Sequence, residues 1–160
     1  MLLPVAAAPH AETQARVVTS SEEDNLWQAS FSPDDRWVSF NAVNKINMAG
    51  TSTIYVVPAS GGNWIRITEG KHWDDVPRWS PDGKTIYFVS NRTGFLNVWG
   101  IHFNSKTGKP VGDPFRVTVF GGPVQLHPIG ISMISVGANR LLVNLVESSG
   151  NIWVLENVDR

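Results

Sequence analysis

The chain has 160 residues, a formal net charge of −1 and no cysteine. That length supplies one domain with a real core, and the near-neutral charge, without any Lys/Arg cluster, argues against a nucleic-acid footprint. The missing thiols exclude disulfides and thiolate metal sites, and suit a periplasmic or a cytoplasmic redox environment equally. Only 17% of residues are charged, whereas seven Trp and seven Phe supply large apolar surfaces. Much of the chain is therefore expected to be buried or at an interface.

Residues 1–13 read as an N-terminal tail. The run "MLLPVAAAPH" resembles the end of a secretory signal, yet it lacks a basic leading region and its apolar part is short. No later apolar run approaches the roughly 20 residues that span a bilayer, so a soluble chain with no membrane insertion is expected. From residue 14 onward the chain repeats itself. "ARVVT" (15–19) is a first strand-like run, and "LWQASF" (26–31) follows it. The turn "SPDD" leads into "RWVSF" (36–40), "STIYVV" (52–57) and "WIRIT" (64–68).

The tetrapeptide Phe31-Ser32-Pro33-Asp34 then returns as Trp79-Ser80-Pro81-Asp82, 48 residues later. "DVPRWS" (75–80) and the β-branched, aromatic "TIYFVS" (85–90) flank the turn "PDGK", a hairpin signature. Proline presets φ near −65° and Gly83 supplies a positive φ; in the first copy Asp35 takes that place, and Asp tolerates the left-handed region better than most residues. "LNVWGIHF" (96–103), a loop rich in Gly, Pro and Lys, and "PFRVT" (114–118) complete the second set. A worn third copy has "PIGISMI" (128–134) and "NRLLVNL" (139–145) around "SVGA", then "GNIWVLE" (150–156).

The pattern predicts twelve strands in three sets of four, offset by one strand, and no helix of convincing 3.6-residue period. Four-stranded repeats of about 40–50 residues are the signature of propeller blades. The expected fold is thus all-β: a β-propeller unit of three blades over residues 14–160, the N-terminal strand completing a last blade. A sandwich would not explain a repeated turn. Propellers commonly close with about four to eight blades, so two chains on a two-fold axis are expected to form a six-bladed homodimer. In that ring residues 15–19 would complete the partner's last blade.

The stretch "DDVPRWSPDGKTIYFVSNRTG" resembles the TolB-type propeller repeat, D-x-x-P-x-W-S-P-D-G-K-x-I-x-F. Asp74, Pro77, Trp79, Ser80, Pro81, Asp82, Gly83, Lys84, Ile86 and Phe88 meet it. "NLWQASFSPDDRWVSFNAV", "KHWDDVPRWSPDG" and the final "GNIWVLENVDR" resemble, over roughly residues 14–160, the C-terminal propeller regions of large bacterial proteins. Those proteins carry an N-terminal kinase or winged-helix domain. The resemblance implies the last half of a longer propeller, as a fragment or a short gene; no kinase or winged-helix motif is present, so those activities do not carry over. It also implies partner binding, since TolB binds proteins of the bacterial envelope. Related repeats precede the catalytic domain of prolyl-oligopeptidase-like hydrolases, where the chemistry lies elsewhere.

No motif for chemistry is complete. "GISMI" around Ser132 lacks the second Gly of a hydrolase elbow, "GKT" (83–85) lacks the upstream Gly of a phosphate loop, and no H-E-x-x-H occurs. His10, His72, His102 and His127 are scattered. No catalytic residue, metal or cofactor is expected. The most suggestive cluster is "KHWDD" (71–75), which enters the first strand of a blade, the strand that lines a propeller's channel. His72, Trp73, Asp74 and Asp75, with Asn25 and Trp27 at the matching place in the first copy, could form a polar, aromatic lip for a peptide, sugar or cation. The plainer reading has Asp74 accepting backbone N–H groups to hold the loop while Trp73 packs between blades. Asn91-Arg92-Thr93 is formally a glycosylation sequon but reads as a hairpin turn. Trp79, Trp99 and Trp153 read as core, and Trp27, Trp37, Trp64 and Trp73 lie nearer loops.

The expected function is a non-catalytic binding or scaffold module that recognises a protein, peptide or small ligand at the channel mouth. The alternative is an ester- or peptide-cleaving hydrolase whose Ser/His/Asp set is assembled across blades or subunits.

Overall fold

The computed structural model describes residues 16–46, 50–127, 134–147, 149, 150, 152, 154 and 156. Two four-stranded antiparallel sheets dominate. The first runs in the order β1 (Asp24–Phe31), β2 (Trp37–Asn44), β3 (Thr53–Pro58), β4 (Ile65–Arg66). The second runs β5 (Asp74–Trp79), β6 (Thr85–Thr93), β7 (Phe95–Asn104), β8 (Lys109–Arg116). Each is a meander in which chain order equals spatial order, as in a propeller blade.

The repeated turn explains why the two inner hairpins are alike. Ser32 and Ser80 each donate from Oγ to the Asp two residues on, Asp34 and Asp82, at 2.6 Å. The same Oγ atoms accept the backbone N–H of Trp37 and of Thr85 at 3.0 Å. Asp35 (φ 56°) and Gly83 (φ 68°) occupy the left-handed corner. The Ser32 hydroxyl first, then Arg36, hold the Asp34 carboxyl down at about 2. Serine, aspartate and a residue tolerant of positive φ are thus each required by the turn.

Period-2 alternation gives every blade two faces. In β3, Ile54 and Val56 point one way and Tyr55 and Val57 the other; in β6, Ile86 and Phe88 oppose Tyr87 and Val89. Ile54, Val56 and Ile67 of the first blade meet Trp79, Ile86, Phe88, Ile101 and Phe103 of the second in one buried cluster. Each fully buried side chain of this kind is worth about 1.5–3 kcal/mol, so the seam holds through apolar contact. Trp37 reaches across it, donating from Nε1 to the Ser105 carbonyl at 3.1 Å. Gly108 (φ 71°) lies beneath that indole, where a Cβ would come within 2.3 Å of Cη2.

Both innermost strands carry a bulge at the same repeat position. Register slips between Trp27 and Ser30 in β1 and between Asp75 and Arg78 in β5, and Gln28 (φ 57°) and Val76 (φ 53°) are left-handed. A β-branched residue at such a φ is strained by roughly 1–3 kcal/mol. The strain persists because the Val76 N–H is held by Gln28 Oε1 at 2.6 Å, across the seam, and by Asp75 Oδ1 at 2.9 Å.

The remaining repeats depart from expectation. The "loop" before "PFRVT" is part of β8: backbone pairing with β7 continues through Lys109 and Pro110, and a slip between Gly100 and His102 absorbs the irregularity. Proline fits there because β8 is an edge strand. The third repeat is described as two short antiparallel pairs. One joins β10 (Ile134–Val136) to β11 (Leu141–Val143), the other β9 (Val124–Leu126) to β12 (Leu145–Glu147). Leu126, Ile134, Leu141 and Val143 pack on Val76, Val89 and Val98 of the second blade. Of the strand expected over 150–156, residues 150, 152, 154 and 156 are described and are not in a strand; Trp153 lies outside the described residues, as do Ser132, His10 and the tail 1–13.

After a single bridge at Arg16, residues 17–19 are irregular. They lie along the first blade, where Arg16 donates to the Ala59 and Ser60 carbonyls and Trp64 Nε1 donates to Thr19 Oγ1. The sheets form an open stack, not a closed ring.

Candidate functional site

The connector from β4 to β5 and the β6–β7 hairpin emerge at one end of the second blade, and hydrogen bonds tie them together: Asn91 N–H donates to the Trp73 carbonyl at 3.4 Å and Trp73 N–H donates to Asn91 Oδ1 at 3.0 Å. The β2–β3 loop joins them, where Ser52 N–H donates to the His72 carbonyl at 3.0 Å. Gly94 N–H closes the hairpin onto the Asn91 carbonyl at 2.8 Å, and the 91–93 tripeptide, expected as a turn, is the end of β6 that leads into it.

Beneath this end Trp73, Asp74 and Asp75 are buried. Trp73 Nε1 donates to Asp75 Oδ2 at 3.3 Å. Burial pushes the Asp75 carboxyl up, against the Val76 N–H, the Trp73 indole and Gln28, which favour the anion. Burial also draws the neighbouring Arg78 guanidinium down, partly offset by Asp75. Asp74 does not take a backbone N–H through its side chain, contrary to the plainer sequence reading. Its Oδ1 accepts Arg92 Nη2 at 3.0 Å, while Oδ2 is buried without a partner. Its own carbonyl accepts the Ser52 hydroxyl at 2.6 Å.

Arg92 is fixed from three sides. Nε donates to Ser90 Oγ at 3.0 Å, and the guanidinium carbon sits 5.1 Å from the Phe88 ring centroid and 4.9 Å from that of Trp99. Such stacking favours a cation that is partly desolvated. Sequence reading missed Arg92, which it absorbed into the turn; the available signal was an Asp and an Arg near the facing ends of two paired strands, Asp74 lying opposite Ser90, two residues before the Arg. The first blade has Leu26 and Asn44 at these repeat positions, so the ion pair is peculiar to the second blade and the architecture does not require it.

A cleft of about 190 Å³ opens here, lined by Thr68, Glu69, His72, Arg92 and Asp113 among others. Lys71 pairs with Glu69 at 2.6 Å, and that hydrogen bond chiefly holds the Glu69 carboxyl low. His72 is half-buried and lines this cleft. Asn25 and Trp27 do not join it: Trp27 lines a separate groove of about 450 Å³ on the face of the first blade, and Asn25 lies half-buried in β1. Among the described residues no group of three or more His, Asp or Glu is placed to hold a metal ion, and no helix is long and apolar enough to cross a membrane.

Successive four-stranded meanders, stacked face to face and each carrying the same Ser-Pro-Asp turn in its first hairpin, define a β-propeller chain. It is a TolB-like one. No protein-family model matches the chain. It is 35% identical over 60 residues to the uncharacterized protein Atu1656 of Agrobacterium fabrum, covering 38% of this chain and 20% of that protein. It is 40% identical over 63 residues to the Tol-Pal system protein TolB of Bordetella pertussis, covering 39% and 13%. It is 33% identical over 66 residues to the uncharacterized peptidase YuxL of Bacillus subtilis, covering 40% and 10%.

Among solved structures, TolB from Acinetobacter baumannii superposes with a TM-score of 0.53 at 25% identity, over 82% of this chain and 32% of that one. A TolB-type protein of Agrobacterium tumefaciens gives 0.54 at 22%, over 79% and 47%. The chain therefore spans less than half of each of these proteins.

Proposed function

We propose that the chain is a non-catalytic propeller module that takes a protein or peptide segment at the end where His72 and Arg92 emerge. The observation that carries this reading is the likeness to TolB, a Tol-Pal system protein, over 82% of the chain. The site supports it. Asp74, which pairs with Arg92, Asp75 and Trp73 stiffen the end from beneath, and His72, Glu69, Arg92 and Asp113 offer a peptide backbone both donors and acceptors in a small cleft. The hydrolase alternative gains little support, because the peptidase relative shares only 10% of its length with this chain.

Panning a phage-displayed random peptide library on the chain tests the reading. Selected peptides, titrated calorimetrically, are expected to bind His72→Ala and Asp113→Ala about tenfold more weakly, or about 1.4 kcal/mol. Peptides that bind both variants as tightly as the parent would move the site elsewhere. Turnover of p-nitrophenyl esters that one Ser or His substitution abolishes would replace the proposal with the hydrolase.

A further inference from the structure

We propose that the cleft at Arg92 is a carboxylate pocket, which receives an acidic side chain or a C-terminal carboxylate on Arg92 and Thr68. The assignment deepens the peptide reading and rests on it. Arg92 is already committed on most sides. Its Nε donates to Ser90 Oγ and its Nη2 to Asp74 Oδ1, while the guanidinium stacks on Phe88 and Trp99. Among the described residues Nη1 takes no partner, on a side chain that is 14% exposed and lines the cleft. A guanidinium held in this way has given up its rotamer freedom before a ligand arrives. Its planar fork matches a carboxylate better than an ammonium does. The blade itself does not ask for it, since the first blade has Asn44 at this place.

Depth sorts the donors of the cleft from its acceptors. Thr68 is 3% exposed; its Oγ1 accepts the Ile54 N–H at 3.0 Å, which leaves the hydroxyl proton to donate. Thr68 and Arg92 are therefore donors on the inside. The acceptors stand at the rim, where Glu69 and Asp113 are exposed and Glu69 is paired with Lys71 at 2.6 Å. Asp113 remains for a backbone N–H of the peptide. The positive charge of Arg92 reaches this rim despite the pairing with Asp74. After Lys71, it and then His72 help to hold the Glu69 carboxyl low. The cleft of about 190 Å³ has room for a single side chain, and Ile67 and Ile101 give its methylene stem an apolar wall.

Nitrogen-15 NMR of the Arg92 Nε–H and the Trp99 indole N–H tests the proposal with three blocked amino acids at matched ionic strength. Acetyl-glutamate N-methylamide carries a side-chain carboxylate, acetyl-alanine a terminal one, and acetyl-glutamine N-methylamide is the uncharged match. At least one carboxylate is expected to shift the Arg92 signal saturably, binding about tenfold or more tighter than the glutamine match. Which of the two binds identifies the source of the group. The double variant Asp74→Leu/Arg92→Asn keeps the Trp99 reporter and is expected to show no saturable shift. Equal binding of the glutamine match, no saturable shift from either carboxylate, or an undiminished response in the double variant would overturn the proposal. Panned peptides that bind tightly but share no carboxylate would overturn it and leave the peptide reading standing. Saturable carboxylate binding by a chain that selects no peptide would support the pocket and sink the peptide reading alone.

Discussion

Arg92→Asn is expected to lower the unfolding free energy by about 3–5 kcal/mol, a large loss for a single substitution. The Asp74 side chain is 1% exposed, and its only hydrogen-bonded oxygen is the one that Arg92 engages. Without the guanidinium the carboxylate is left as an uncompensated charge under Trp73 and Ser52, and the stack on Phe88 and Trp99 is lost as well. The first blade shows how the position can be filled otherwise, with Leu26 and Asn44. The double variant Asp74→Leu/Arg92→Asn copies that solution and is expected to recover to within about 1 kcal/mol of the parent. Urea unfolding of the three proteins, read at constant m, checks both numbers. If the single and double variants are equally unstable, the pair is an architectural necessity. If neither loses stability, the charge is not buried as described. Recovery in the double variant would leave the ion pair as a feature retained for the site, not for the blade.

The seam between blades gives the second large effect. Trp79→Ala is expected to cost about 3–5 kcal/mol, because the indole is almost wholly buried against Ile54 and Val56. It meets Phe103 edge-on at 4.9 Å and donates from Nε1 to the Ser30 carbonyl of the preceding blade at 3.1 Å. Phe31→Ala, at the same position of the first copy, is expected to cost less than about 1 kcal/mol in the monomer, since that ring faces the open groove. The contrast isolates the contribution of the neighbouring blade, as residue type and repeat position are nearly matched. Equal losses at the two positions would mean that position within the blade, not the seam, sets the cost.

These two effects also mark how far the sequence is legible. The Ser-Pro-Asp turn, its hairpins and the four-strand count are local, because each rests on residues within about ten of one another. Those features are legible from the first reading, including the left-handed place of Asp35 and Gly83. The bonds that join one blade to the next are not. Gln28 to Val76 spans 48 residues and Trp79 to Ser30 spans 49. Nothing in "WQAS" announces that its Gln will hold a strained valine in another sheet.

Burial hid the character of the site for the same reason. "KHWDD" reads as a polar lip, but Trp73 and both aspartates are turned beneath it, leaving His72 at the cleft beside an arginine that looked like part of a turn. The extent of β8 was masked by composition, since Lys109, Pro110 and Gly112 suggest a loop while the edge of a sheet tolerates them.

The claim that these sheets are consecutive blades of one propeller is tested most directly by hydrogen exchange of two N–H groups. The Val76 amide and the Trp79 indole both donate across the seam, to Gln28 Oε1 and to the Ser30 carbonyl. Followed by nitrogen-15 NMR, both are predicted to exchange as slowly as the central amides of β6, through global unfolding alone. Exchange of these two groups at the rate of exposed amides, while β6 stays protected, would mean that the sheets fold separately and would contradict the account.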